Sequence, residues 1–194
     1  MAGEPGGARP DDSFLADAAA FQFGAYVHFP FCHRVCPYCD FAVVAGREEL
    51  IDRYVGALVA EVRAAVPFGR SLGAVFLGGG TPTRLAPNQM GGVLQALKDC
   101  CGLAPGAEVS LEANPEDWSP GLAAGLVAAG CNRVSLGAQS FDGGVLAALG
   151  RRHRPEQAET AVAVAHREGF AAVNLDLICG TPGESATSWR ASVE

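Results

Sequence analysis

A chain of 194 residues with 49% hydrophobic and 18% charged content carries enough apolar mass for one domain with a substantial core, and too little length for two large ones. Its formal charge of −7 offers no broad basic field, which argues against nucleic acid and anionic membrane surfaces as main partners. No apolar run reaches the length of a membrane span, and the seven cysteines, odd in number and clustered, read as a metal site plus spare thiols in a reducing, cytoplasmic compartment.

Residues 1–24, rich in Gly, Ala, Pro and Asp, fit neither a secretory signal nor a transit peptide and are expected to form a flexible tail. Residues 25–194 are expected to form the domain. From Ala25 onward, short apolar runs alternate with helical patterns, the signature of βα units around a parallel sheet.

The first strand, near Ala25–Phe29, runs into Cys32-His33-Arg34-Val35-Cys36-Pro37-Tyr38-Cys39. Three thiolates on one short loop suit three corners of a [4Fe–4S] cube, and they leave the fourth iron for an exchangeable ligand. Structural zinc is the alternative, with His28 or His33 completing a Cys₃His set. His28 also reads as a satisfied core histidine, or as one that orients the loop. Tyr38 reads either as an aromatic set against the cofactor or as plain packing.

A helix from about Glu48 to Val66 carries Leu50, Ile51, Tyr54, Val55, Leu58 and Val62 on one face. The next strand, near Ala74–Leu77, leads to Gly78-Gly79-Gly80-Thr81-Pro82, where backbone without side chains lets groups approach closely. The run lacks the lysine of a P-loop and the spacing of a dinucleotide fingerprint. Further helices are expected near Pro87–Cys100, Pro120–Ala129 and Pro155–Glu168, each opening at a proline. The Ala-rich run at 122–130 reads as core helix.

The third strand, near Glu108–Glu112, ends on a carboxylate that needs a partner: a cationic or hydroxylated ligand, a helix cap, or Arg133. Strands near Arg133–Gly137 and Ala172–Asp176 lead to Gln139 and end on Asp176. Five strand ends thereby aim chemistry at one mouth, the ligand face of parallel α/β sheets. Arg151-Arg152-His153-Arg154 reads either as a solvated helix entry or as a carboxylate or ribose clamp. His153 and His166 are placed on helical segments without a chemical role. Cys100, Cys101, Cys131 and Cys179 lack metal-like spacing and read as ordinary small core or surface residues, with Cys179 following Asp176 on a segment expected to border the site.

Taken together, Tyr26-Val27-His28-Phe29-Pro30-Phe31-Cys32, the three-cysteine loop, Gly78-Gly79-Gly80-Thr81-Pro82, Glu112-Ala113-Asn114-Pro115, Gly137-Ala138-Gln139-Ser140-Phe141 and Asn174-Leu175-Asp176-Leu177 resemble the radical S-adenosylmethionine (SAM) superfamily. Within it they resemble the oxygen-independent coproporphyrinogen III oxidase-like family, from about Tyr26 to Glu184. The resemblance implies an α/β fold, a partial (β/α) TIM-like barrel of parallel strands. A complete eight-unit barrel needs about 250 residues, so the chain is expected to be truncated at its C-terminus.

The resemblance also implies cofactors and roles. Cys32, Cys36 and Cys39 would hold the [4Fe–4S] cluster and SAM its open iron. Gly79, Gly80 and Thr81 would meet the amino and carboxylate end of SAM. Tyr26, Tyr38, Glu112, Gln139, Arg151 and Asp176 would make further cofactor contacts. The chemistry implied is reductive cleavage of SAM to a 5′-deoxyadenosyl radical, with an electron donor such as a flavodoxin or ferredoxin. Cys39 is followed by Asp40-Phe41 rather than by a further cysteine two residues on, an ending that resembles the haem-chaperone, HemW-like branch. That branch binds haem and delivers it to haem-acceptor proteins, through a motif that would lie beyond Glu194. The alternatives are an oxygen-independent coproporphyrinogen III oxidase acting on a porphyrin precursor, and a zinc-stabilised scaffold without a redox role. Ala42 and Cys179 depart from the family pattern without touching the cysteine assignment.

Overall fold

In the first strand, β1 (Gly24–Phe29), Val27 and Phe29 are buried while Tyr26 stays 60% exposed, so alternation has already assigned the two faces of the sheet. The computed structural model describes residues 23–65 and 71–194. Most of the expected tail, residues 1–22, and the Val66 end of the expected first helix lie outside these residues. The strand begins one residue earlier than expected, with Gly24 paired to Ala74.

Four more strands, β4 (Leu72–Gly79), β5 (Leu103–Ala113), β6 (Arg133–Gln139) and β7 (Ala172–Leu177), join β1 in one parallel sheet in chain order. Two short strands, β2 (Phe31–Cys32) and β3 (Val44–Ala45), pair in parallel and clasp the ends of the cysteine loop. The helices between the long strands are α1 (Ile51–Ala65), α2 (Pro87–Cys101), α3 (Pro120–Ala129), the short α4 (Gly143–Ala148) and α5 (Pro155–Glu168), with α6 (Ala186–Val193) after β7.

Helices α2, α3 and α5 open at the prolines read from the sequence, where the missing N–H is no loss. Both α3 and α5 close on a glycine at positive φ, Gly130 and Gly169. The first helix is preceded by a 3₁₀ turn at Glu48–Leu50, which shortens it relative to the expected span. Strand β5 is longer than expected because its pairing with β4 continues past a register slip between Leu72–Leu103 and Ala74–Glu108, which accommodates Pro105-Gly106.

One face of the sheet is closed. Val75, Leu77, Val109, Leu111, Val134 and Leu136 are at most 3% exposed and belong to one cluster with Met90, Val93 and Leu97 of α2 and Leu126 of α3. Each such side chain contributes about 1.5–3 kcal/mol on burial. The opposite face carries Tyr26, His28, Glu112, Ser135, Asn174 and Asp176, none of them fully buried. Polar side chains therefore gather on the uncovered side, toward the carboxyl ends of the strands.

Candidate functional site

The cysteine loop is pinned to the end of β4 by backbone. Gly80 and Thr81 donate their N–H groups to the Phe29 and Phe31 carbonyls at 2.7 and 2.8 Å, and Val44 donates to Pro30 at 2.7 Å. A Cβ on Gly80 would stand 2.8 Å from the Phe31 oxygen and 2.9 Å from the Cys32 sulfur. Gly79, at φ +113°, has the His28 ring 2.6 Å from where its Cβ would be. The glycines let two chain segments pass at contact distance, and their N–H groups are spent on protein acceptors, with Gly79 donating to Glu112 at 3.0 Å. No phosphate cradle of N–H groups remains at these three positions.

His28 ties the other end of the loop. Its Nε2 donates to the Ala42 carbonyl at 2.8 Å, and its Nδ1 then accepts from the Tyr26 hydroxyl at 2.9 Å. Tyr54 of α1 donates to the His28 carbonyl at 2.6 Å. With both ring nitrogens engaged, His28 offers no lone pair to a zinc ion. It holds the loop against β1, one of the roles read from the sequence.

The three cysteines are half-buried free thiols on the wall of a cavity of about 700 Å³. Cys39 donates its N–H to the Cys36 carbonyl at 3.0 Å, closing a tight turn. Burial raises the Cys32 thiol above its ordinary pKa, opposed by the Thr81 hydroxyl, which donates to Cys32 Sγ at 3.5 Å. Tyr38, beside Cys36 and Arg151, has its phenol pushed up to about 12, chiefly by burial. Among the described residues, no three Cys, His, Asp or Glu side chains converge as ligands of a single metal ion.

The cavity gathers most of the residues singled out in the sequence. Gly79, Gly80, Thr81 and Glu112 form one side, and Gln139, Arg151 and Asp176 the other. Tyr26 is not among the lining residues; it stacks on Phe76 with ring centroids 6.0 Å apart, below the His28 level of the sheet. The segment after Asp176 borders the cavity as expected, through Leu177 and Ile178, while Cys179 itself is exposed and does not line it.

Two carboxylates face each other across the strand ends. Glu112 is raised above the ordinary carboxylate range, first by burial and further by the Asp176 charge, with the Gly79 N–H opposing. Asp176 accepts from Ser135 Oγ at 2.9 Å and from Asn174 Nδ2 at 2.8 Å. Arg133, an alternative partner for Glu112, instead pairs with Glu108 at 3.2 Å. Gln139 ends β6 at φ +64°, an unfavourable region for a side chain other than glycine, beside a register shift. Its side-chain nitrogen lies 2.7 Å from where a Gly137 Cβ would be.

The basic cluster splits in two. Arg152 and Arg154 are exposed, as a solvated helix entry requires, but the Arg151 side chain is 5% exposed. Its Nη2 donates to Asn114 Oδ1 at 2.8 Å, the Gly137 carbonyl at 3.0 Å and Glu116 Oε2 at 3.2 Å. His153 is not on a helix, contrary to expectation. It lies in the loop before α5, fully buried, with Nε2 3.0 Å from the Ala138 carbonyl and Nδ1 3.2 Å from Glu116. His166 does sit on α5 and is exposed. Sequence reasoning missed Ser135, Asn114 and Glu116. The inward phase of β6, shared by Arg133, Ser135 and Gly137, was the one signal available for Ser135.

Residues 26–194 match the model of the Radical SAM superfamily. The chain belongs to the radical SAM superfamily. It is 45% identical over 187 residues to a protein of Mycobacterium tuberculosis named heme chaperone HemW, covering 93% of this chain and 47% of that protein. A Synechocystis protein of the same name is 37% identical over 175 residues, covering 87% and 42%. The structure superposes on coproporphyrinogen III oxidase (HemN) of Escherichia coli, a radical SAM enzyme, with TM-score 0.81 and 30% identity, covering 95% of this chain and 44% of that one. The five parallel strands are thus part of a TIM-like barrel wall of the radical SAM type. The chain spans less than half the length of these relatives.

Proposed function

We propose that the cavity is a [4Fe–4S] and SAM site held by Cys32, Cys36 and Cys39, and that the protein acts as a haem chaperone of the HemW-like branch. The observation that carries the reading is the single loop with three free thiols on one cavity wall, ending in Cys39-Asp40-Phe41. None of the other four cysteines lines the cavity, so the protein would supply three ligands and leave one iron to an exchangeable partner. The zinc alternative is weakened because His28 has both nitrogens engaged and His33 is turned toward Arg84 and Asp117.

A cluster with SAM on its open iron supplies reductive cleavage of the sulfonium. The chain's own residues bind and orient. Glu112 and Asp176 would offer anionic groups to a ligand ammonium, Arg151 a cation to a ligand carboxylate, and Gln139 and Thr81 polar contacts. Tyr38, within the loop, lines the cavity beside Cys36 and Arg151. A cavity of about 700 Å³ is within the usual range for a cofactor site.

The haem reading rests on the names of the relatives and on the absence of a fourth cysteine at position 41, which is Phe. Haem-acceptor proteins and a flavodoxin- or ferredoxin-like electron donor are partners of that reading, and the reducing cytoplasm its setting. Coproporphyrinogen oxidation is the second reading, favoured by the HemN superposition.

The test is anaerobic reconstitution of the full-length protein, including the part beyond Glu194, with iron and sulfide, followed by SAM with haem or with coproporphyrinogen III. Stable haem binding, an EPR signal that responds to SAM, and no porphyrin product are expected. Conversion of coproporphyrinogen III to oxidised product would replace the chaperone reading with the enzymatic one.

A further inference from the structure

Cys32 is joined to the buried interior by a chain of hydrogen bonds that all run in one direction. Arg151 Nη2 donates to Asn114 Oδ1 at 2.8 Å, Asn114 Nδ2 donates to Thr81 Oγ1 at 3.3 Å, and Thr81 Oγ1 donates to Cys32 Sγ at 3.5 Å. Thr81 is 5% exposed and its backbone is fixed by the bond to the Phe31 carbonyl at 2.8 Å. The Arg151 side chain is equally buried and is held from two further sides, by the Gly137 carbonyl and by Glu116.

The direction follows from the donors available. A guanidinium can only donate, so the oxygen of the Asn114 amide must face it and the NH₂ must face Thr81. An N–H pointing at the threonine oxygen occupies an acceptor lone pair, which leaves the single hydroxyl proton for the sulfur. A reversed amide would oppose two donors at Arg151 and draw the hydroxyl proton away from Cys32. Charge on Arg151 therefore polarises each bond in turn.

We propose that Asn114 is a positioning residue that relays the buried Arg151 charge through Thr81 to Cys32, and so sets the reduction potential of the cluster Cys32 ligates. The inference rests on the cluster reading given above. A hydrogen bond to a ligating sulfur favours the more negative, reduced cluster, so the relay raises the potential. Asn114 touches neither cluster nor substrate in this role; it fixes which way the Thr81 proton points.

The test is an EPR-monitored redox titration of the reconstituted protein without SAM, alongside iron and sulfide content. Asn114→Asp keeps the shape and the acceptor for Arg151, but its carboxylate takes the Thr81 proton. Thr81→Val removes the proton and Thr81→Ser keeps it. Asn114→Asp and Thr81→Val are expected to shift the potential to more negative values, with Thr81→Ser at the wild-type value. Because the potential is read from whatever clusters assemble, partial loading does not move it. Wild-type potential in both Asn114→Asp and Thr81→Val overturns the relay and leaves the cluster reading standing. A shift in Thr81→Val alone overturns the role of Asn114. Wild-type protein that takes up no iron and sulfide overturns the cluster reading, and the relay with it.

Discussion

Glu112 accepts the backbone N–H of Gly79 at 3.0 Å, joining the ends of two neighbouring strands beneath the cysteine loop. The bond keeps a half-buried carboxylate at the strand end, and burial nevertheless raises its pKa, with Asp176 adding to the shift. A raised carboxylate binds its proton more tightly when folded, so its contribution to stability is fully present below the unfolded pKa. That contribution is lost as pH rises through the folded pKa. In urea unfolding of the metal-free protein from pH 4 to 8, Glu112→Gln should flatten this decline, since an amide oxygen still accepts from Gly79 and carries no charge. An unchanged pH slope in Glu112→Gln would show that Glu112 does not titrate as described.

Removal of any one of Cys32, Cys36 or Cys39 is expected to abolish cluster assembly, while Cys131→Ala and Cys179→Ser retain it. The contrast follows from location, because Cys131 is a core thiol pushed up to about 12 by burial and Cys179 is exposed away from the cavity. Iron and acid-labile sulfide per chain, with the visible absorption, decide the matter. Full loading in Cys36→Ala would dismiss the three-thiolate site.

Gly80 and Gly92 form a matched pair for separating close approach from helix propensity. At Gly80 a methyl would meet the Phe31 oxygen, the Pro30 carbonyl carbon and the Cys32 sulfur at 2.8–2.9 Å, two of them backbone atoms that cannot swing aside. Gly80→Ala should cost about 1–3 kcal/mol and displace the cysteine loop. At Gly92, inside α2, nothing lies within 4 Å of the added carbon, so Gly92→Ala should stabilise by roughly 0.5–1 kcal/mol. Denaturation midpoints of the two variants should move in opposite directions, and iron uptake should fall in Gly80→Ala alone. Equal midpoints would show that the loop tolerates the methyl.

What could be read from sequence was whatever depends on short-range pattern. Strand ends at Glu112 and Asp176, proline-opened helices, and the cysteine loop all follow from local residue order. The α4 helix escaped because it opens on Gly143-Gly144, poor helix formers that its Asp142 cap offsets by accepting from the Gly144 and Val145 N–H groups at 2.7 and 3.0 Å. The Arg151–Asn114–Thr81 chain escaped for a different reason. Its members come from three separate loops that only the parallel pairing of β4, β5 and β6 brings together. Burial of His153 likewise depends on how the loop before α5 folds back under β6, where Ala138 receives its Nε2.

Glu116 connects that buried pair to the cavity wall, and its titration has the opposite sign to that of Glu112. Burial alone would raise its carboxyl. The His153 hydrogen bond and the Arg151 charge outweigh burial and hold it below the ordinary range. A depressed carboxylate contributes stability above the unfolded pKa, and that contribution is lost as pH falls through the folded pKa. Glu116→Gln should therefore be less stable than the parent at pH 7 and converge with it in acid. Arg151→Met removes the donor that Asn114, Gly137 and Glu116 share and should cost about 1.5–3 kcal/mol at pH 7, the usual value of hydrogen bonds to a charged group. In the double variant Glu116→Gln with Arg151→Met, the two losses should sum to less than additivity, because each already removes the same pair. Strict additivity in urea unfolding would mean that Arg151 and Glu116 act independently, and that the 3.2 Å contact between them carries no coupling.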